Sequence, residues 1–464
     1  MNPARVAVIG AGPSGLYASV ELLRQSPEVN VDMFDRIPAI GGLARYGVSP
    51  DHAARRQMAA VAEYYAMASH RFQFYGNVKI GVHISHDELL TRYRAIIYAC
   101  GCSSDQNLGV PGEMVAGCHA ASEFVGWYNG HPDFADRQFD LSGERAIVIG
   151  NGNVALDLAR IILKGTDGLR HTDIANAALA ALARSRIREV VILGRRGPAQ
   201  ASFTTPELLE LAQLEDVDII VEPGGAANDL HQSPLHVEPH TATSFARRLK
   251  LQILRDYAAR GPKSQSKRLV LRFCSSPVAI LGEERVKGVR IARNILVTQA
   301  DGSISAQPTT DHRNMPACLV LRAVGYRGRA IPGLPFDTAK GTLPNIAGRV
   351  IDPATMAPVP GTYVVGWQKR GPRGVIGTNK ICAQETVKNV LEDLQATSST
   401  GQEPYLPSLE SLLLDRQAHP ITYIDWKAID YYEQLQGLAS NRPRVKLTSY
   451  HDLLKTSAMR PQSR

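Results

Sequence analysis

Short apolar runs recur through the first half of the chain, and segments with helical spacing separate them. Arg5 to Ile9 (RVAVI), Val29 to Phe34 (VNVDMF) and Ala95 to Gly101 (AIIYACG) each predict a buried strand, as do Glu144 to Ile149 and Glu189 to Leu193. This alternation continues to about residue 220 and predicts a parallel α/β sheet. Glu222 to Ser244 is rich in Gly, Pro and His and predicts a loop or mobile excursion. Phe245 to Arg260 has the pattern of a strongly basic amphipathic helix, and about Lys267 to Val324 is β-rich. A polar connector from Gln395 to Tyr405 leads to a helical tail.

Two of the strand-to-helix junctions are glycine loops. Gly10-AGPSG-Leu16 has the G-x-G-x-x-G spacing: Gly10 for the turn, Gly12 for close approach of a pyrophosphate, Gly15 for packing helix on strand. The next strand ends at Asp35, placed to accept from a ribose hydroxyl and to repel a 2′-phosphate, so this loop expects FAD or NAD. Gly150-N-Gly152-N-V-Ala155 repeats the logic, with alanine in the third position. Here the next strand leads to Arg195 and Arg196, two guanidinium forks suited to a 2′-phosphate and hence to NADP(H). The interval between requires Lys164 to Arg188 to be a largely helical insertion. One loop would hold a flavin and the other admit the nicotinamide that reduces it.

Composition narrows the class. The 464 residues allow two or more domains, and 44% hydrophobic with 21% charged is ordinary for a globular protein. No apolar run is long enough to span a bilayer, and no signal peptide precedes the first strand. Six scattered cysteines suit free thiols in a reducing, cytoplasmic setting. The net charge of +8 favours an acidic partner, but no nucleic-acid module is present and no metal-ligand spacing is found.

In Tyr363-VVGWQKRGPRGVIGTNKICAQET-Val387 a strand leads to a Gly, Arg and Pro turn and then a helix near Thr378. Backbone N–H groups from Gly374 to Ile376 would precede that helix, where its dipole stabilises charge on a reduced flavin. Together GAGPSG, GLARYGVSPDH, GNGNVALDLAR, RRGPAQASFTTPEL, GWQKRGPRGVIGTN and RPRVKL resemble the adrenodoxin-reductase-type ferredoxin–NADP⁺ reductases, in order and spacing from Val6 to about Lys446. The short bacterial members, without a fused ferredoxin, are the most similar.

The resemblance implies two Rossmann-like dinucleotide-binding domains of the adrenodoxin/glutathione-reductase-like type. These are a discontinuous FAD domain (1–105 and 325–464) and an inserted NADP domain (106–324). It implies FAD contacts at Ser14, Asp35, Leu43, Ile80, Trp367, Gly374, Val375 and Ile376. NADP contacts are implied at Asn151, Gly152, Asn153, Val154, Arg195, Arg196, Glu207 and Gly374. His52 and Glu207 are implied beside the nicotinamide, to position it and tune proton balance. Both fit helix starts: Asp51 as a cap ahead of His52, and Thr205-Pro206-Glu207 as cap, first helical residue and first-turn acid. The implied acceptor is an acidic ferredoxin-type iron–sulfur protein, docking near Arg247, Arg248, Lys250 and Arg255.

This chain departs from the family pattern in three places. Gly41 stands where tryptophan is frequent, Asp35 where glutamate is frequent, and Cys100-Gly101-Cys102 where A-T-G or A-V-G is usual. The C-x-C is expected to be two buried free thiols. The same two loops would also serve an NADPH-dependent flavin monooxygenase or diaphorase acting on a small molecule. No large apolar insertion that clearly supplies its substrate pocket is found.

Overall fold

The computed structural model describes residues 3–52, 63–222, 242–263, 266–374, 376–396 and 407–459. Two compact units emerge. The first comprises Met1–Ser104, Asn129–Ala135 and Tyr326–Arg464, the second Asp105–Tyr128 and Asp136–Gly325.

The first unit is built on a seven-stranded sheet ordered Asn345–Ile346, Arg349–Ile351, Pro358–Val364, Ala95–Tyr98, Ala4–Ile9, Val29–Phe34, Phe72–Tyr75. Its last five strands run parallel, and the two at the other edge are antiparallel. Val6 and Val8 pack into one apolar cluster and Ala7 and Ile9 into another, so the first strand is buried on both faces. That explains why it has no polar alternation. The strand order reverses between Ala4–Ile9 and Ala95–Tyr98, which places a crevice at their carboxyl ends.

The second unit has a six-stranded, wholly parallel sheet: Cys118–Ala120, Leu319–Arg322, Arg145–Ile149, Glu189–Leu193, Lys267–Arg272, Val217–Glu222. The order again reverses beside the first strand of the glycine motif, between Arg145–Ile149 and Leu319–Arg322. The β-rich stretch expected from Lys267 onward therefore divides. Its two ends join the parallel sheet, and Ser275–Leu281, Gly288–Thr298 and Ile304–Pro316 form a separate antiparallel sheet. The stretch from Lys164 to Arg188 is less helical than expected: after Asn153–Lys164 ends, only Asn176–Ala183 is α-helical. Most of the Gly/Pro/His-rich stretch after Glu222, and most of the Gln395–Tyr405 connector, lie outside the described residues.

The tail contributes a buried charge cluster. On the helix Tyr423–Ala439, Glu433 is fully buried and accepts from Arg45 Nη2 through both oxygens, at 2.6 and 2.7 Å. The N–H of Leu447 donates to the same carboxylate at 2.9 Å, and Arg444 Nη1 reaches Glu433 at 3.3 Å and Asp430 at 2.6 Å. A buried ion pair repays its desolvation only when its remaining valences are filled, and here they are largely filled. The short helix Leu43–Tyr46 is thereby tied to the C-terminal tail.

Burial alone would push the Asp430 carboxyl up, but Arg444 and Lys427 hold it well below its ordinary 3.8, at about 2. A depressed carboxyl contributes stability that is complete above its unfolded value and lost as pH falls through its folded value. Asp430→Asn is expected to cost about 2 kcal/mol at neutral pH. In urea unfolding, the gap between variant and parent should close as pH falls from about 4 towards 2.

Candidate functional site

In the first unit the chain leaves Ala4–Ile9 through Gly10 at φ +116°, where an added Cβ would lie 2.6 Å from the Ala99 carbonyl oxygen. The loop crosses the end of the neighbouring strand at a distance only glycine permits. At Gly15 a Cβ would lie 2.0 Å from the Gly10 oxygen, so helix Pro13–Gln25 sits directly on the turn. Gly12 is different. It is the N-cap of that helix, no side chain caps it, and an added Cβ would meet only Gly42 Cα at 3.8 Å. Uncapped helix N–H groups beside open space fit a pyrophosphate.

Asp35 holds this loop in shape. Its Oδ2 accepts from Ala11 N at 2.7 Å and its Oδ1 from Ile37 N at 2.9 Å. Burial pushes the carboxyl up against the pull of these donors. Each oxygen keeps a lone pair, so the carboxylate can pin the loop and still accept from a ribose. Val78 N donates to the Asp35 carbonyl at 2.9 Å, which brings the segment carrying Ile80 alongside. Leu43 opens a helix capped by Gly42 at φ +49°.

The distal segment meets the loop at Ser14, whose Oγ donates to Asn379 Oδ1 at 3.0 Å; Arg370 Nη2 donates to the same oxygen at 2.9 Å. Gly366, at φ +70°, would place a Cβ 2.1 Å from Ser14 Oγ. Sequence reasoning assigned no role to Gly366 and Asn379, although they open and close the quoted GWQKRGPRGVIGTN: one precedes Trp367, the other is in the first turn of Thr378–Ala396. The Trp367 ring stacks on Tyr326, with centroids 5.7 Å apart. Gly374 is exposed at φ +87°, Ile376 packs at the edge of a core cluster, and Val375 lies outside the described residues. His52 is half-buried in a turn, its N–H donating to Ser49 O at 3.0 Å; Asp51 accepts from Ser49 Oγ. The helix expected beyond His52 would fall on 53–62, also outside the described residues.

Both C-x-C thiols are free, and desolvation pushes each up to about 12. Cys102 is buried, whereas Cys100, just past the end of Ala95–Tyr98, is exposed as a residue while its Sγ turns in to donate to Ile9 O at 3.5 Å. The strand ends two residues before Cys100.

The second unit repeats the crossing. Gly150 has φ +122°, and a Cβ there would lie 2.2 Å from the Ala323 oxygen. Gly152 caps Asn153–Lys164 without a side-chain bond, and nothing lies within 4 Å of an added Cβ. The Asn151 carbonyl accepts from Ser202 N and Phe203 N, both at 3.1 Å, and Asn153 Oδ1 accepts from Thr204 N at 2.8 Å. Val154 is half-buried in the first turn. Arg195 is exposed and Arg196 half-buried, just beyond the strand Glu189–Leu193, and no carboxylate pairs with either among the described residues.

The helix start near Glu207 is displaced by one residue. Thr204, not Thr205, is the N-cap, and Pro206 and Glu207 become the second and third helical residues. The Asn153 side chain fixes Thr204 in extended geometry and so sets the boundary. Glu207 is buried, and equally buried Arg160 approaches it at 3.9 Å while pairing with Glu210 at 3.1 Å and Asp157 at 2.7 Å. Sequence reasoning passed over Arg160; its signal was an arginine closing GNGNVALDLAR three residues after Asp157, on the same helix face. The helix Ala242–Arg260 presents Arg248 exposed and Arg247 and Arg255 half-exposed. Lys250 turns inward, donating to Ala201 O at 2.5 Å and lying 5.5 Å from the Phe203 ring centroid.

The model of the pyridine nucleotide-disulphide oxidoreductase family matches residues 4–204. NADPH-ferredoxin reductase FprA of Mycobacterium tuberculosis is 43% identical to this chain, over 98% of it and 99% of the relative. NADPH:adrenodoxin oxidoreductase, mitochondrial, of Arabidopsis thaliana is 38% identical over 98% and 96%. The solved structure of M. tuberculosis FprA in complex with NADPH superposes with a TM-score of 0.90 at 42% identity, covering 98% of this chain and all of that one. With both doubly wound units in place and identity sustained from end to end, this chain belongs to the NADPH–ferredoxin reductase family.

Proposed function

We propose that this chain is an FAD-dependent reductase that takes a hydride from NADPH and passes electrons singly to a ferredoxin-type iron–sulfur protein. The observation that carries the reading is the pair of uncapped, glycine-lined helix starts with opposite neighbours. One is succeeded by a carboxylate, the other by two guanidiniums that no carboxylate pairs among the described residues. FAD supplies the conversion of a two-electron hydride into single electrons, and the protein supplies binding, orientation and electrostatics.

The residues divide accordingly. Gly10, Gly12, Ser14, Gly15, Asp35, Leu43 and Ile80 would hold FAD, with Trp367 and the backbone from Gly374 to Ile376 at its reactive end. Asn151 to Val154 would face the NADPH pyrophosphate, and Arg195 and Arg196 its 2′-phosphate. His52 and Glu207 would orient the nicotinamide, with buried Arg160 balancing the charge of Glu207. An acidic partner would approach Arg247, Arg248 and Arg255. Lys250, committed to the Ala201 carbonyl, is removed from that face. All six cysteines are free, which suits a reducing compartment such as the cytoplasm, and no helix among the described residues is long and apolar enough to cross a membrane.

Three measurements test this. Purified protein should be yellow and lose its colour far faster with NADPH than with NADH; replacing both Arg195 and Arg196 by alanine should shrink that preference at least about tenfold, chiefly through KM. An unchanged ratio would remove the clamp. Asp35→Asn leaves one acceptor oxygen for two backbone donors, so flavin should be retained about tenfold less tightly, read as the visible absorbance left after gel filtration. Reversing Arg247 and Arg248 to glutamate should slow reduction of an acidic iron–sulfur acceptor several-fold at low salt, spare a dye acceptor, and lose its effect as salt rises.

A further inference from the structure

Arg195 and Arg196 stand in a turn rather than on a regular element, yet a bidentate phosphate clamp requires a fixed backbone. The carbonyls of Gly194 and Arg196 accept backbone N–H groups from the adjoining segment: Ser275 N to Gly194 O at 3.0 Å, and Cys274 N to Arg196 O at 3.1 Å. The carbonyl between them has a side-chain donor. Asn294 Nδ2 donates to Arg195 O at 2.7 Å and to Ser276 Oγ at 2.8 Å.

Asn294 is well placed for this role. It lies on Gly288–Thr298, where pairing with Ile304–Pro316 shifts register between Ala292 and Asn294, an irregularity that re-aims a side chain. Its own N–H donates to Cys274 O at 2.7 Å, and the residue is only 3% exposed. Its Oδ1 is buried without a hydrogen-bond partner among the described residues. A position needed only for packing would shed that unsatisfied oxygen by carrying an apolar residue, so the two donors are what asparagine supplies. Two residues on, Leu296 Cδ1 would lie 3.2 Å from a Cβ at Gly197, so the same strand also bounds the far side of the turn.

We propose that Asn294 is a specificity-positioning residue: held in the antiparallel sheet, it fixes the Arg195 peptide so that the two guanidiniums converge on the 2′-phosphate of NADPH. This rests on the reading of Arg195 and Arg196 as that clamp. Asn294 touches no cofactor; it acts through the backbone it holds.

The test compares Asn294→Asp, which keeps the shape but removes both donors, and Asn294→Ala with the parent holoenzyme. Calorimetric titration with 2′,5′-ADP and with 5′-AMP reads the phosphate site independently of turnover. Loss of one positioning hydrogen bond should weaken 2′,5′-ADP binding about 3- to 10-fold in both variants, leave 5′-AMP within about twofold, and lower the NADPH/NADH ratio of kcat/KM to match. Equal weakening of both nucleotides, or of neither, overturns the proposal. If Asn294→Asp fails to fold, Asn294→Ala decides by the same ratio. The Arg195→Ala, Arg196→Ala double variant separates the two layers. If it does not change the 2′,5′-ADP preference, the clamp itself is wrong. If it does and the Asn294 variants do not, only the positioning role falls.

Discussion

Two peptide carbonyls, those of Ala99 and Ala323, set the geometry on which the rest depends. Each lies just past the strand beside a glycine motif, at the point where the strand order turns back, and each lies where a side chain on Gly10 or Gly150 would have to be. Because the turn passes over that carbonyl, the next helix starts immediately above the sheet's carboxyl edge with its first N–H groups aimed into the crevice. Any Cβ at either position would lift the turn and move the helix start with it. The absence of a side-chain cap at Gly12 and Gly152 fits the same logic: no side chain satisfies those N–H groups, and on the proposed reading a ligand would.

Given one repeated scaffold, the two sites are distinguished by the residues just past the second strand of each. In the first unit a single residue does two jobs, since Asp35 braces the loop through Ala11 and Ile37 and would meet the ribose with its remaining lone pairs. In the second unit the jobs are separated. Backbone and Asn294 donors hold the Gly194–Arg196 carbonyls, and no carboxylate among the described residues engages either guanidinium. On the proposed reading, repulsion and attraction of one phosphate would be built on the same fold by different bracing.

Legibility in the sequence extended as far as local chemistry dictates structure. Strands buried on both faces, such as Ala4–Ile9, show as apolar runs, and the glycine spacings mark tight turns, so a parallel sheet and both loops could be read directly, while the division into two units came from the resemblance. Partners remote in sequence could not. Asn379 reaching Ser14, Arg160 beside Glu207 and Asn294 under Arg195 join positions whose adjacency only the fold creates. The boundary at Thr204 was misplaced for the same reason, because a side chain from the start of another helix, Asn153, sets it. Lys250 looked like one more surface cation until packing turned it inward; a charge on an amphipathic helix does not reveal which edge it occupies.

The bracing also bears on how tightly each cofactor would be kept. Around the first loop, Gly366, Asn379 and the Gly42 turn converge from separate stretches of the same unit, and the helix Leu43–Tyr46 is anchored through buried Arg45 to Glu433 on the tail. Releasing a ligand there would mean loosening segments that already bind one another. The second loop has one exposed and one half-exposed arginine at its outer edge, backed by a single small sheet. A ligand there can leave without disturbing a core. That asymmetry is what a resident flavin served by an exchanging nicotinamide requires, and it arises from how many remote segments close on each loop, not from the glycine motifs themselves.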